Sequence, residues 1–233
     1  MDAIPVLVPN TIDAATACAL LVALDRAAMD PRPVLSLEGD AGCFCRGLDL
    51  AGAADAAAPD GGPGAFAQVL ARVLSFPKPV LAVVDGPALG GGLGLAAAAD
   101  VVLASERAQI ALPEALFGLA PDLIRPVLER RLGPQKLGLL LLTAHARSAR
   151  EAAELGLFDE VVALEALADA RRAWVRTLGR AHPASISRLR AWTMADMGPR
   201  LARGAAETAA ALADPAVRSG LRRFLDGEAP WTP

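Results

Sequence analysis

The segment ALGGGLGLAAAAD, residues 88–100, places three consecutive glycines, Gly90 to Gly92, at the start of an apolar run. Glycine inside a helix or strand costs stability relative to alanine, so a close neighbour or ligand must require it here. A buried strand is predicted over residues 79–84, and a helix from the glycines to Ala99. A strand, a glycine turn and a helix together bring unobstructed backbone N–H groups to the positive end of the helix dipole.

Such a turn suits either a phosphate or a developing oxyanion. The glycine spacing fits neither G-x-x-x-x-G-K-[ST] nor G-x-G-x-x-G, the phosphate-binding patterns. An oxyanion hole also requires a second N–H donor and a nearby acid or base. The loop of residues 42–49 offers a donor, and Glu114 lies alone among apolar residues as a candidate acid. The alternative is that the glycines only allow a helix to pack closely on a strand.

The composition excludes several classes of protein. The chain has 233 residues, 54% hydrophobic and 21% charged, with a formal net charge of −3, which is typical of a globular protein of one or two domains. Its basic residues form no block and accompany no aromatic series, so nucleic-acid binding is not expected. Asp85 and Asp100 interrupt the most apolar region, so no membrane span is expected. The mean hydropathy of +0.38 instead predicts contacts between subunits.

The cysteines indicate a reducing compartment. Cys18, Cys43 and Cys45 are odd in number and show no metal-ligand spacing, so we interpret them as thiols of a cytoplasmic protein. The first residues show no secretory leader pattern. Neither a metal site nor a cofactor site is predicted.

Strands and helices alternate through the first half of the chain, which predicts an α/β core. The predicted strands cover residues 4–8, 33–37, 79–84, 101–104 and 109–112, and the predicted helices cover 14–28, 65–75 and the run after the glycines. From about Pro121 onward the chain is predicted to be helical. The segment of residues 51–64, rich in Ala, Gly and Pro, is interpreted as a mobile surface segment.

Three stretches of the chain also carry a resemblance to a known family. They are FCRGLDL (44–50), KPVLAVVDGPALGGGLGLAAAADVVLASERAQIALPEALFGLAP (78–121) and TAHARSAREAAELGLFDEVV (143–162). In order and spacing they resemble the crotonase (enoyl-CoA hydratase/isomerase) superfamily. The resemblance implies a crotonase-like spiral of ββα turns with a C-terminal helical trimerisation region, in homotrimers or dimers of trimers. We therefore predict a core domain of residues 1–180 and a helical oligomerisation region of residues 181–233.

The resemblance further implies a thioester substrate whose carbonyl oxygen lies between two backbone N–H groups. By motif position these belong to Leu48 and Gly91, with Gly90 and Gly92 beside the substrate. Glu114 corresponds to the acid of the family's PE element, and burial among apolar neighbours should raise its pKa. The substrate is carried on the phosphopantetheine of an acyl carrier protein, or on CoA, and no separate cofactor is implied.

The chain departs from hydratases of this superfamily at Gly94, where they carry a first glutamate. The sequence leaves open which group replaces it. Asp49 is the next candidate acid, although it can equally brace its own loop by accepting backbone N–H bonds. Asp122 is a weaker candidate, in a loop of residues 121–126 that replaces the family's glycine-rich loop.

These departures resemble a subgroup, the dehydratases of polyketide β-branching (HMG-CoA synthase) cassettes. Its members remove water from a 3-hydroxy-3-methylglutaryl group on an acyl carrier protein and give a 3-methylglutaconyl thioester. The free carboxylate of that substrate needs an arginine, for which Arg46 is a candidate. Three alternatives stay open: the decarboxylase of the same cassette, a CoA-linked enoyl hydratase or isomerase, and a non-catalytic homologue that binds a partner.

Overall fold

The computed structural model describes residues 2–40, 42–55 and 62–228. The strands are β1 (Ile4–Leu7), β2 (Leu35–Glu38), β3 (Val80–Val84), β4 (Pro87–Leu89), β5 (Val101–Ser105), β6 (Gln109–Ala111), β7 (Arg147–Ser148) and β8 (Glu160–Val162). The α-helices are α1 (Ala14–Met29), α2 (Leu50–Asp55), α3 (Gly62–Leu74), α4 (Gly91–Ala98), α5 (Arg125–Thr143), α6 (Ala149–Leu155), α7 (Leu167–Leu178), α8 (Pro183–Ala213) and α9 (Pro215–Leu225). Short 3-10 helices cover Glu114–Phe117 and Leu164–Ala166.

A parallel sheet with the strand order β1-β2-β3-β5-β8 forms the centre of the molecule. Along β3 the side chains alternate between a larger cluster under α1 and α3 and a smaller cluster against α7, as strand geometry requires. The larger cluster takes Val80, Ala82 and Val84, and the smaller takes Leu81 and Val83. Because both faces of the sheet are covered at its centre, every residue of β3 is buried.

A second, smaller sheet has the order β4-β6-β7. The chain bends from β3 into β4 at Gly86, whose φ is 129° and where a Cβ would lie 1.8 Å from the Gly42 carbonyl oxygen. β3, β4 and α4 thus form one ββα turn, in which the helix begins where the small-sheet strand ends. The predicted α/β core and ββα turns are confirmed.

One expectation about the fold is wrong. The chain beyond Pro121 is not all helical, because β7 and β8 lie there and β8 pairs with β5. β8 has three half-buried residues, which is too short a run for alternation to show in the sequence.

The mobile surface segment expected over residues 51–64 stays a prediction. Its described ends belong to α2 and to the start of α3, and residues 56–61 lie outside the described residues.

Helix α8 lies along α3 and is attached to the core by Arg190. The Arg190 guanidinium donates to both carboxylate oxygens of Asp100 at 2.6 Å and to the carbonyls of Phe76 and Lys78 at 2.8 and 2.9 Å. This helix carries one wall of the site described below. The division at residue 180 and the role of the C-terminal helices in oligomerisation stay predictions.

Candidate active site

The glycines at the start of α4 lie close to different neighbours. Gly92 packs against backbone, because a Cβ there would lie 2.1 Å from the Cys45 carbonyl oxygen. Gly90 has a φ of 47°, a conformation that side chains rarely adopt, and a Cβ on it would lie 2.7 Å from Glu114 Oε1. Close packing of the helix on the loop of residues 42–49 therefore explains Gly92, whereas Gly90 makes room for the Glu114 carboxyl group.

Leu48 and Gly91 bring two backbone N–H groups to one place. Gly91 begins α4, so its N–H has no acceptor within the helix. A Cβ on Gly91 would lie 3.4 Å from the Leu48 nitrogen. Ile12 pairs in parallel with Leu48 by donating to the Gly47 carbonyl and accepting from the Asp49 N–H, a pairing that turns the N–H of Leu48 away from Ile12. Leu48 and Gly91 line one cavity, as an oxyanion hole requires.

Glu114 supplies a buried carboxyl group next to these N–H groups. It is 8% exposed, and its Oε2 has no hydrogen-bond partner among the described residues. Burial raises the pKa of Glu114 from 4.5 to about 7, and a hydrogen bond to its own backbone offsets part of the rise. The predicted rise in this pKa is confirmed. A carboxyl group with this pKa can both accept and donate a proton near neutral pH.

Two adjoining cavities meet at Glu114. The outer cavity has a volume of about 430 Å³, within the range of small-molecule sites. The inner chamber has about 30 Å³, which is room for one or two water molecules. The residues that line both are Leu48, Gly91, Glu114 and Leu119. The Glu114 carboxyl group and the N–H groups of Leu48 and Gly91 therefore lie where the outer cavity, which is large enough for a thioester substrate, meets the inner chamber, which is large enough for water.

Asp49 and Arg46, the other predicted site residues, line the outer cavity. Asp49 Oδ1 accepts the N–H of Gly52 at 3.2 Å, so it braces the first turn of α2, which is the second of the two roles left open for it. Arg46 is exposed and forms no ion pair within the part of the chain that the structure describes. Its charge is thus available at the mouth of the outer cavity. Asp122 lines neither cavity.

Gly94 shows why the first glutamate is absent. A Cβ on Gly94 would lie 2.3 Å from Ile124 Cγ2 and 2.7 Å from Ile124 Cβ. Ile124 belongs to the loop that replaces the family's glycine-rich loop. The glycine at position 94 and the replaced loop of residues 121–126 are therefore two parts of one packing arrangement. In it, Ile124 fills the space that a glutamate side chain at position 94 would need.

Thr208, which reaches the inner chamber from α8, was not among the residues predicted from the sequence. It is 2% exposed, and its Oγ1 accepts the N–H of Leu123 at 3.3 Å. One signal could have found it: a threonine at helical spacing within an otherwise apolar stripe. The other members of that stripe are Leu201, Gly204, Ala205 and Leu212.

Two phenylalanines, also missed, form part of the outer cavity. The rings of Phe117 and Phe224 have centroids 5.1 Å apart and are tilted by 48°. Phe224 comes from α9, so the C-terminal helix contributes to the wall of the site. No local motif marks it, because the contact joins residues more than a hundred positions apart.

Other kinds of site find no support among residues 2–40, 42–55 and 62–228. No group of three or more His, Cys, Asp or Glu is placed there to hold a metal ion. Burial raises the pKa of Cys45 to about 12, so this thiol is not an activated nucleophile. Within the same residues, no helix combines the length and the hydrophobicity needed to cross a membrane.

Known proteins similar to this chain form a consistent group. The family model described as Enoyl-CoA hydratase/isomerase matches residues 6–231. Carnitinyl-CoA dehydratases of Proteus mirabilis (strain HI4320) and Salmonella agona (strain SL483) are 36% and 37% identical over 188 residues, which is 78% of this chain and 71% of theirs.

Solved structures agree on the fold. A Bacillus subtilis protein described as a polyketide biosynthesis enoyl-CoA hydratase superposes with a TM-score of 0.85, covering 97% of this chain and 95% of its own. An enoyl-CoA hydratase from Mycobacterium avium gives a TM-score of 0.81 at 29% identity, covering 95% and 88%. The Bacillus subtilis protein is 24% identical, so that likeness concerns the fold alone.

Proposed function

The chain belongs to the enoyl-CoA hydratase/isomerase family, and we propose that it removes water from a 3-hydroxyacyl thioester. The predicted family and the predicted enzyme class, a hydro-lyase of the hydratase and dehydratase type, are confirmed. One observation carries the proposed reaction: the buried carboxyl group of Glu114, whose Oε2 has no partner among the described residues, lines the same cavity as Leu48 and Gly91.

In the proposed reaction, the thioester carbonyl oxygen accepts hydrogen bonds from the Leu48 and Gly91 N–H groups. The Glu114 carboxylate takes a proton from C2, and the electron pair of that C–H bond moves to the carbonyl oxygen as an enolate. The enolate then expels the C3 hydroxyl group, which takes the proton back from Glu114 and leaves as water. A C2=C3 double bond forms, and Glu114 returns to its carboxylate form. Each oxyanion-hole donor contributes about 3–4 kcal/mol to the barrier reduction.

A single carboxyl group suits this sequence of steps. Its pKa of about 7 lets the same oxygen atoms act first as base and then as acid. Ile124 occupies the position of a second carboxylate, so water chemistry based on two glutamates is not available to this chain. The elimination is therefore expected to be syn, with both proton transfers on one face of the substrate.

For the acyl group, we propose 3-hydroxy-3-methylglutaryl on an acyl carrier protein, with 3-methylglutaconyl as the product. Arg46 supports this choice, because an exposed guanidinium at the cavity mouth can bind the free carboxylate. The fold of the Bacillus subtilis polyketide-biosynthesis protein is consistent with it. A homotrimer, or a dimer of trimers, is part of the same proposal.

A second candidate substrate is a CoA thioester with a cationic acyl tail. Carnitinyl-CoA, which the dehydratase relatives are named for, carries a quaternary ammonium group. The ring pair of Phe117 and Phe224 and the Asp49 carboxylate line the outer cavity. Aromatic faces and a carboxylate together attract such a cation.

Intact-mass spectrometry and kinetics of three thioesters test both candidates: 3-hydroxy-3-methylglutaryl on a carrier protein, the same group on CoA, and carnitinyl-CoA. We expect loss of one water from the first with the wild type, and none with Glu114→Gln. Arg46→Gln should raise KM for the methylglutaryl substrate only, while Arg26→Gln, an exposed change on α1, should leave it unchanged. Water loss from carnitinyl-CoA alone would select the second candidate, and no reaction with any thioester would overturn the dehydratase proposal.

A further inference from the structure

The inner chamber beside Glu114 contains two polar side chains, each with hydrogen-bonding capacity that no described residue uses. Apart from Glu114 and Thr208, the side chains that line it are apolar. Glu114 Oε2 has no hydrogen-bond partner among the described residues. With a volume of about 30 Å³, the chamber admits a hydroxyl group or a water molecule but no acyl chain.

The hydroxyl proton of Thr208 is the second unpartnered group. A threonine within a helix commonly donates to the carbonyl four residues earlier, as Thr143 does at 2.8 Å and Thr177 at 3.1 Å. Thr208 makes no such bond, and its hydroxyl donates to no acceptor in the described part of the chain. Its Oγ1 accepts the N–H of Leu123 instead, which fixes the oxygen on the chamber wall and leaves its hydrogen to a further acceptor.

The backbone holds Thr208 in this place. A Cβ on Gly204, one turn earlier in α8, would lie 2.3 Å from the Asp122 carbonyl oxygen. Helix α8 therefore contacts the turn of residues 121–124 directly, and Thr208 follows on the same face of the helix. Ile124 of that turn contacts Gly94 on α4. The turn thus fixes the distance between α4, which starts at the oxyanion hole, and Thr208.

We propose that Thr208 is a catalytic residue that binds the oxygen of the leaving hydroxyl group, and then the product water, in the inner chamber. Its hydroxyl donates a hydrogen bond to that oxygen while Glu114 delivers the proton that completes the water molecule. This inference rests on the proposed dehydration and deepens it, since it names the group that takes over the leaving-group side from the absent carboxylate at position 94.

The chamber also separates the leaving group from the rest of the substrate. Only the hydroxyl group fits beside Thr208 and Glu114, so the acyl tail and the thioester arm occupy the outer cavity. Thr208 keeps its hydroxyl proton throughout the reaction and therefore does not act as an acid or base. It orients the leaving oxygen and stabilises the charge that develops on it.

The test compares Thr208→Val, which has the same shape without the hydroxyl, with Thr208→Ser, which keeps it. Two quantities are measured in D₂O with 3-hydroxy-3-methylglutaryl carrier protein, or with carnitinyl-CoA if only that substrate reacts. One is the rate of water loss, and the other is deuterium incorporation at C2 of the recovered substrate. Proton removal at C2 needs Glu114 and the oxyanion hole but not Thr208.

We expect Thr208→Val to lower kcat for water loss by about tenfold to a hundredfold, with KM little changed and C2 exchange kept or increased. Thr208→Ser should recover most of the rate. Thr177→Val, which removes a hydroxyl bonded within α7, should behave as the wild type in both measurements.

The other possible outcomes distinguish a catalytic role of Thr208 from a structural one, and the inference from the proposed function. If the wild type loses water and Thr208→Val does so at the same rate, the inference is overturned and the proposed function stands. If Thr208→Val and Thr208→Ser both lose water elimination and C2 exchange together, Thr208 only supports the turn at Leu123, and the inference is again overturned. If the wild type removes water from none of the thioesters, the proposed function is overturned and the Thr208 inference with it.

Discussion

At position 114, burial of a carboxyl group makes the stability of the fold depend on pH. The pKa of Glu114 is about 7 in the folded chain, against 4.5 for an unburied glutamate. Between these pH values the folded state holds a proton that the unfolded state has released. The contribution of Glu114 to stability is therefore complete below about pH 4.5 and is lost as the pH rises through about 7.

Glu114→Gln, which does not titrate, should remove this loss. Between about pH 5 and pH 8 we expect the wild type to lose up to about 3 kcal/mol more of its unfolding free energy than the variant does. Urea unfolding at the two pH values measures the difference. Glu154→Gln, at an exposed position on α6, is the control. If the unfolding free energies of Glu114→Gln and Glu154→Gln change equally between the two pH values, the Glu114 carboxyl is not desolvated.

The contact between Gly94 and Ile124 gives a second prediction at this scale. Gly94→Ala places a Cβ 2.3 Å from Ile124 Cγ2, so it should lower the unfolding free energy by about 1–3 kcal/mol. Gly138→Ala is the matched control, because no atom lies within 4 Å of its new Cβ and alanine favours a helix by up to about 1 kcal/mol. Opposite shifts in Tm are expected, and equal shifts would contradict the packing described.

At the scale of elements, the turn of residues 121–124 is the part on which the site depends. It lies between α4 and α8, and its Leu123 N–H bonds to Thr208. Gly204→Ala would bring a Cβ within 2.3 Å of the Asp122 carbonyl oxygen. Since this neighbour is backbone and cannot rotate away, α8 itself must move.

We therefore expect Gly204→Ala to lower both Tm and the rate of water loss. The rate should fall by a larger factor than the folded fraction of the protein does. Circular dichroism at the assay temperature gives the folded fraction, and the rate is divided by it. A normal rate per folded molecule would show that the position of α8 does not matter to the chemistry. Gly138→Ala again serves as the control for a helical glycine.

The sequence predicted those parts of the fold and site that local patterns determine. Helix α1 begins at the predicted residue, Ala14, because the Asp13 carboxylate caps its N-terminus. It ends one residue beyond the predicted end. Glu114 and the two loops of the predicted oxyanion hole were found in the sequence because each is a local pattern. The assignment of the donors to Leu48 and Gly91 came from the family resemblance and stays a prediction, although the structure places both residues at one cavity. Thr208 and Phe224 were missed because α8 and α9 bring them to the site by packing, which no local pattern encodes.

At the scale of the whole molecule, Arg190 attaches α8 to the central sheet. Its side chain is 13% exposed and bonds Asp100 and two backbone carbonyls. Arg190→Met removes the cation that pairs with Asp100 and the side-chain donor to two backbone carbonyls, while Asp100 Oδ2 keeps the N–H of Val80. We therefore expect a loss of about 2–4 kcal/mol in unfolding free energy. Arg188→Met, an exposed change on the same helix, should cost less than about 0.5 kcal/mol. Urea unfolding at one protein concentration compares them, and equal midpoints would refute the role of Arg190.

The predicted assembly has an equally direct test. Light scattering on the purified protein should give three or six times the 23.9 kDa of one chain. A single-chain or two-chain mass would contradict the homotrimer and the dimer of trimers alike. The measurement belongs before the unfolding experiments, because the apparent stability of an oligomer depends on protein concentration.

The contact between Gly94 and Ile124 also bears on how this chain can change over generations. A larger residue at position 94 is tolerated only after position 124 has become smaller, and shrinking Ile124 first leaves a cavity that destabilises the protein. Each single step toward a glutamate at position 94 therefore passes through a less stable intermediate. Positions 94 and 124 have to change as a pair, so packing alone separates this chain from two-glutamate sequences by a barrier that no single substitution crosses.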